Sequence, residues 1–371
     1  MPLDRFRILV GPNGSGKSTF LDVMAFLRTF VADGLESAFE ERTTNPRDLF
    51  WLRDPTATIQ LVIEAKIPEQ LSSASRRTVR YEVRVRAAPT PDLTPYVQEQ
   101  LRLFSADTSG LPMPTIQKGL TSATFVPETG GASLPPLPNI WRQKSALGII
   151  PPGDQFPVAN WFRDLLQTEV RRIALERSKL RKPSPRGRGR SIQPDGSGLP
   201  WRIQELREKH PKIFHDWLSH LRSAIPNVED VRVSLREDDG TAFLIVRYSD
   251  GLEAPSWVVS DGTLQLIALT VATYDPGFAG IYLIEEPENG IHPTNIQDIY
   301  DSLSSVYDGQ VLVASHSPMF LSIAQKKELL CFAKDKAGAT QIVPGDELPA
   351  LEDWRGEVDL GSLFATGILG Q

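Results

Sequence analysis

Gly11-Pro12-Asn13-Gly14-Ser15-Gly16-Lys17-Ser18 constrains this chain more than any other stretch. Its glycines let successive backbone N–H groups turn inward around one centre, where a side chain would obstruct them. Arg7-Ile8-Leu9-Val10 precedes the loop and reads as a short buried strand. From Ser18 to about Ala32 a helix is predicted, with Phe20, Met24, Leu27 and Val31 at helical spacing and Gly34 placed to cap its end. Strand, glycine loop and helix in that order form a phosphate cradle, because the loop amides and the helix N-terminus face the same anion. In such a P-loop Lys17 reaches the β- and γ-phosphates, the Ser18 hydroxyl binds Mg²⁺ and Thr19 supports the α-phosphate.

Three further elements fit that chemistry. Ile281-Tyr282-Leu283-Ile284-Glu285-Glu286-Pro287 is an apolar strand that delivers two adjacent carboxylates at its C-terminal end, the edge where open α/β sheets bind ligands. Glu285 is suited to hold Mg²⁺ through water, and Glu286 to accept a proton from an attacking water. Val311-Leu312-Val313-Ala314-Ser315-His316-Ser317-Pro318 repeats the pattern with one histidine, placed to hydrogen-bond a γ-phosphate. Ser260-Asp261-Gly262-Thr263-Leu264-Gln265 opens a helix. Ser260 is a natural N-cap. Ser260, Asp261 and Gly262 also offer a second phosphate-ready helix start, which a chain whose first start already serves one nucleotide can spare for a partner's.

Between these motifs, strands are predicted at about 56–66, 77–87 and 98–104. Pro, Gly, Ser and Thr dominate 105–155, as in loops. A helix is predicted over 156–181, helices over 200–223, and a hairpin over 231–248 around Glu237-Asp238-Asp239-Gly240. The last third alternates: helix 262–274, strand 280–285, helix 293–307, strand 310–315, the rhythm of a parallel sheet. The fold class is thus α/β. The two ends, 1–104 and 228–371, are expected to form one phosphate-binding domain, interrupted by a mainly helical or irregular insertion over 105–227. Arg177 to Arg190 holds seven Arg and Lys and no acid. With its Pro and Gly it reads as a flexible basic loop, extending to about 198, that could meet DNA or RNA phosphates.

A formal charge of -6 excludes a global basic field for nucleic acid, so any such surface is local. The single cysteine, Cys331, excludes an intrachain disulfide and a cysteine zinc cluster, and reads as a buried inert thiol. His210, His215 and His220 recur every five residues, which spreads them around a helix as polar surface and not as ligands to one metal. No separate acidic nuclease constellation stands out. Residues 1–10 lack a signal-peptide pattern and no run of about eighteen apolar residues occurs, so a cytoplasmic location without a membrane is expected.

Together the four elements resemble the ABC-type ATPase superfamily, in particular its OLD/RecF/SMC-like branch, in order and approximate spacing. Pro194-Asp195-Gly196-Ser197-Gly198-Leu199 and Asp359-Leu360-Gly361-Ser362-Leu363-Phe364 also look like stand-alone bacterial members. The resemblance implies an ABC-type ATPase head with a mixed sheet. It implies ATP and Mg²⁺ as cofactors, Lys17, Glu286 and His316 in catalysis, and a head-to-tail homodimer or higher oligomer. In that dimer Ser260 and Gly262 of one chain would complete the other's site. It further implies anti-phage defence or DNA repair with an effector such as a nuclease. The chain departs from the pattern in places. Glu285 stands where the broad superfamily has Asp, and Ser-Asp-Gly-Thr replaces a transporter-like Ser-Gly-Gly-Gln. The P-loop begins ten residues in, where relatives carry further strands that help hold adenine, so the base contacts are expected from elsewhere. Gln60 is the nearest candidate for a coupling glutamine.

Two other classes fit less well. The ATPase subunit of a membrane transporter would carry Ser-Gly-Gly-Gln and a compact helical insert, and the Pro- and Arg-rich insert argues against it. A GTPase would carry Asn-Lys-x-Asp, which is missing, and a kinase leaves Ser260 and His316 without a role.

Overall fold

The computed structural model describes residues 1–54, 56–73, 76–87, 95–105, 112–138, 143–186, 193–306, 308–352, 354 and 358–370. The chain forms two compact units, one of Met1–Leu21 with Arg171–Gln371, the other of Asp22–Val170. These breaks differ from the expected ones at 104/105 and 227/228, and strand pairing gives the reason. Thr58–Lys66, Thr78–Arg86 and Tyr96–Phe104 share one antiparallel sheet with Met113–Lys118, Ser122–Phe125 and Leu137–Pro138. The early strands therefore belong with the strands of 113–138, not with the P-loop strand. Residues 113–125 resemble loop in sequence because Ile116, Ala123 and Phe125, their buried apolar positions, are too few to show through the Pro- and Ser-rich surroundings. Within this unit Glu99 is fully buried and accepts from Tyr81 Oη at 2.7 Å, Ser145 Oγ at 2.9 Å and the Ala146 N–H at 2.8 Å. A buried carboxylate so satisfied pins the 145–147 turn onto the sheet.

The first unit holds a mixed six-stranded sheet in the order Thr340–Pro344, Leu329–Lys334, Phe6–Val10, Gln310–Ala314, Ile281–Glu285, Val170–Ile173. Phe6–Val10 runs parallel to Gln310–Ala314 and to Leu329–Lys334, and Ile281–Glu285 runs parallel to Gln310–Ala314. Thr340–Pro344 closes one side antiparallel. Leu9 pairs with Ala314, and Ala314 with Glu285. That register brings three C-terminal strand ends to one edge. The helix Asp261–Thr273 is buried from Leu264 to Ala272. Apolar on all sides, it can only be a core helix, and the Trp217 indole donates to its Thr270 hydroxyl at 3.0 Å. Helices Leu199–Lys209, Pro211–Ala224, Ile296–Ser304, Pro318–Ser322 and Leu360–Ala365 and a small sheet of Val228–Leu235, Ala242–Tyr248 and Glu253–Pro255 also belong to the unit.

The helix expected over 156–181 is three elements: helix Pro157–Thr168, strand Val170–Ile173 and a short helix Arg177–Arg181. Val170 and Ile173 are buried while Arg172 is exposed, and β-branched ends suit the strand. The basic stretch is likewise ordered where it begins. Lys182 is extended before Pro183, which stops the helix, and Ser184 bridges to Ala242. Positions 187–192 of the expected loop lie outside the described residues.

Candidate active site

The P-loop sits tightly against its neighbours. A Cβ on Gly11 would lie 2.3 Å from the Phe332 carbonyl oxygen, and one on Gly16 would lie 2.6 Å from Thr340 Oγ1. Gly16 also has φ +105°, and Thr340 Oγ1 donates to the Ser15 carbonyl at 2.8 Å. Only glycine lets the loop pass there. Ser15 is buried, and Pro12, Asn13 and Gly14 are exposed at the loop's crest. The helix Lys17–Asp33 starts as expected, with the Phe20 N–H donating to the Gly16 carbonyl at 2.9 Å. Lys17 Nζ donates to the Gly11 carbonyl at 2.7 Å and the Pro12 carbonyl at 3.0 Å. Burial lowers its pKa from the ordinary lysine value, against the pull of Glu286. Ser18 and Thr19 are at least partly exposed at the helix start.

The carboxylate strand meets this loop. Ser18 Oγ donates to Glu285 Oε2 at 2.6 Å, joining residues far apart in sequence. Glu286 comes next with φ +48°, a left-handed conformation that costs a non-glycine residue roughly 1–3 kcal/mol. Its N–H donates to the Ala314 carbonyl at 2.8 Å, which fixes the turn. The Glu286 carboxylate meets His316 Nδ1 at 3.0 Å through Oε1 and accepts from Asn289 Nδ2 through Oε2. The strained residue therefore aims a carboxylate held from both sides. Behind it, buried Glu288 accepts from Ser315 Oγ at 2.6 Å, and Ser315 Oγ accepts from the Ser317 N–H at 3.1 Å, so the turn carrying His316 is tied down. Burial pushes the Glu288 carboxyl up from its ordinary value, against the Ser315 hydrogen bond.

The Ser260 region is placed differently. The Ser260 hydroxyl accepts from the Thr263 N–H at 3.1 Å and donates to Thr263 Oγ1 at 2.8 Å, a cap on its own exposed helix start. Asp261 accepts from Arg181 Nε at 2.6 Å. A Cβ on Gly262 would lie 3.0 Å from the Gly290 carbonyl oxygen. Among the described residues, no hydrogen bond or ion pair joins Ser260, Asp261 or Gly262 to Gly11–Thr19. Lys17, Ser18, Glu285, Glu286 and His316 thus come together, while Ser260 and Asp261 are bonded elsewhere among the described residues.

Over residues 6–322 the chain matches the family described as "AAA domain, putative AbiEii toxin, Type IV TA system". It belongs to that family of P-loop ATPases. Among solved structures, this family member is similar to an SMC head bound to the C-winged helix domain of ScpA, at 15% identity over 92% of this chain and 91% of that one, TM-score 0.49. An Smc head with an extended coiled coil from Pyrococcus furiosus, bound to the C-terminal domain of ScpA, gives 15%, 92%, 91% and 0.44. The SMC head domain from Thermotoga maritima gives 10%, 93%, 92% and 0.38. No curated protein matches.

Other sequence candidates resolve plainly. Gln60 donates to Glu82 Oε1 at 2.8 Å on the antiparallel sheet of the second unit. His220, expected as surface, is half-buried and bridges Tyr274 Oη at 3.0 Å and Ser302 Oγ at 3.1 Å. No group of three or more metal-ligating side chains occurs among the described residues. Cys331 is buried, its thiol pushed up to about 12 by burial. No described helix is long and apolar enough to cross a membrane. Sequence reasoning missed Asn289, three residues beyond Glu286, and Arg172, whose expected helix hid it at the sheet edge.

Proposed function

We propose that this protein binds and hydrolyses ATP at a site completed by a second copy of the chain, and that this cycle gates or drives a partner in a DNA-related process. The observation that carries the reading is the convergence of Lys17, Ser18, Glu285, Glu286 and His316 at one sheet edge. The P-loop amides and Lys17 bind the phosphates. Ser18 and Glu285 set a hydroxyl and a carboxylate 2.6 Å apart, and this hard-oxygen pair fits Mg²⁺, which takes few protein ligands beside phosphate and water. Bound there, the metal would neutralise phosphate charge. Glu286 accepts the proton of the attacking water, oriented by His316 and Asn289. His316 also donates to the γ-phosphate. The adenine contacts come from outside the four motifs.

Ser260, Asp261 and Gly262 serve the partner's nucleotide, since a capped helix start with no hydrogen bond to its own P-loop among the described residues suits a neighbour in a two-fold dimer or a higher oligomer. A type IV toxin–antitoxin system in the family description fits anti-phage defence better than transport, with DNA repair as the related role. An effector such as a nuclease would act downstream, DNA or RNA would meet the basic stretch 177–190, and the protein would work in the cytoplasm. In place of the expected boundaries at 104/105 and 227/228 we take the two compact units as the domains, with Asp22–Val170 as the insertion between the P-loop and the Ser-Asp-Gly-Thr segment. The test is ATP turnover measured across protein concentration, with and without DNA. Turnover that rises more than linearly with concentration supports the reading, and a chain that neither binds nor turns over ATP refutes it.

A further inference from the structure

Both oxygens of the metal carboxylate are engaged from within the chain. Ser18 Oγ donates to Glu285 Oε2 at 2.6 Å, and Arg172 Nη2 donates to Glu285 Oε1 at 2.9 Å. Arg172 lies on the edge strand Val170–Ile173, and its side chain is 51% exposed against 29% for Glu285. A cation held by Ser18 and Glu285 would carry the same sign as the guanidinium beside it, in a partly desolvated place where like charges repel. The side chain can leave while its backbone stays in the sheet. It borders a cleft of about 480 Å³ that Arg177, Gln265 and Asn289 also line.

The segment after the strand leads to the other half of the site. The Ala174 N–H donates to the Pro194 carbonyl at 2.8 Å and the Glu176 N–H to the Asp195 carbonyl at 3.1 Å, and the helix Arg177–Arg181 begins there. The Arg177 guanidinium lies so close over Gly290 that a Cβ there would meet it at 2.5 Å. Gly290 in turn abuts Gly262. At the far end Arg181 donates to Asp261 at 2.6 Å and to the Trp257 carbonyl at 2.8 Å, and its own carbonyl accepts from Ser256 at 3.0 Å. One short segment thus holds the metal carboxylate by one arginine and, by another, the start of helix Asp261–Thr273, the signature helix that Ser-Asp-Gly-Thr opens.

We propose that Arg172 is a positioning residue that holds Glu285 until the metal enters, and that its release is carried along residues 172–181 to the signature helix through Arg177, Arg181 and Asp261. A displaced Arg172 shares the cleft with Arg177, whose like charge passes the movement on. The inference rests on the nucleotide-site reading above, and goes beyond it by naming the element that links the two half-sites of one chain.

The test uses the full chain, a non-hydrolysable ATP analogue and Mn²⁺, with bound metal read by electron paramagnetic resonance. Freed of a partly exposed pair, Glu285 in Arg172→Ala should take Mn²⁺ roughly two- to fivefold more tightly than wild type. Arg172→Gln, which keeps the side-chain stem, should shift the same way, and Arg172→Lys should stay near wild type. In wild type, metal and analogue together should speed amide exchange over residues 177–182, and in Arg172→Ala that response should vanish. Unchanged or weaker Mn²⁺ affinity in both neutral variants, or an exchange rate in wild type indifferent to metal and analogue, overturns the proposal. If wild type takes up no Mn²⁺ with the analogue, the nucleotide-site reading itself falls, and this inference with it.

Discussion

Two helix starts in the same unit have contrasting surroundings. The helix at Lys17 begins among a crossing hydrogen bond to Glu285, a strained carboxylate at Glu286 and a histidine from a third strand. The helix at Asp261 begins with a serine that, among the described residues, bonds only to its own first turn, and an aspartate held by an arginine. One start is surrounded by groups suited to chemistry, and the other presents a hydroxyl and backbone amides with no chemistry of its own. Under the proposed ATPase reading, the difference teaches that position on the parallel sheet, not the helix start itself, makes a catalytic half-site. It is also why the second start makes sense as a contribution to another chain.

The largest effects should fall on the crowded half. Lys17→Ala should abolish nucleotide binding or turnover, checked by equilibrium binding and phosphate release. Glu286→Gln should keep ATP binding, cut turnover by about a hundredfold or more, and accumulate a nucleotide-bound dimer visible by light scattering. If Glu286→Gln turns over like wild type, the base is Glu285 or Glu288. Ser260→Arg sharpens the contrast from the other side. It should leave ATP binding to the P-loop nearly intact, yet block ATP-driven dimerisation and turnover. Weakened ATP binding by isolated Ser260→Arg monomers would break the comparison, because it would put Ser260 in its own chain's site.

Smaller effects concern stability and pH. Gly16→Ala forces a Cβ against Thr340 in a backbone conformation that side chains rarely adopt, and should cost about 1–3 kcal/mol by denaturant unfolding. Glu288 gives a pH test. Its folded-state pKa lies above the ordinary 4.5, so the folded state holds the proton more strongly than the unfolded one. Any stability from that group is present below 4.5 and lost as pH rises through the raised value. Glu288→Gln should therefore flatten the fall of Tm with rising pH in that window, while changing little in acid. A Tm profile identical to wild type would mean that Glu288 does not titrate there.

Much of the crowded half was legible from sequence, because its signals are local. A P-loop, an apolar strand ending in two carboxylates and another ending in Ser-His each carry their chemistry within a few residues. The buried cap helix Asp261–Thr273 and the strand pair around Asp238 and Asp239 were equally readable. What stayed hidden is whatever depends on pairing between distant segments. Arg172 sits in four residues whose sheet neighbour, Ile281–Glu285, lies over a hundred positions away, and helical spacing upstream masked the change. The strands at 113–125 failed for the same reason: each is short, and partners rather than propensity hold it in the sheet. His220 looked like surface because its partners, Tyr274 and Ser302, come from other elements.

The composite site is tested most directly by mixing two dead proteins. Lys17→Ala and Ser260→Arg should each be inactive alone. In a mixed dimer both lesions fall in one site, and the other site pairs an intact P-loop with an intact Ser260. With random two-fold pairing at equal amounts, mixing should restore up to about a quarter of wild-type turnover. No turnover on mixing, together with full activity from strictly monomeric wild type at low concentration, would contradict the account.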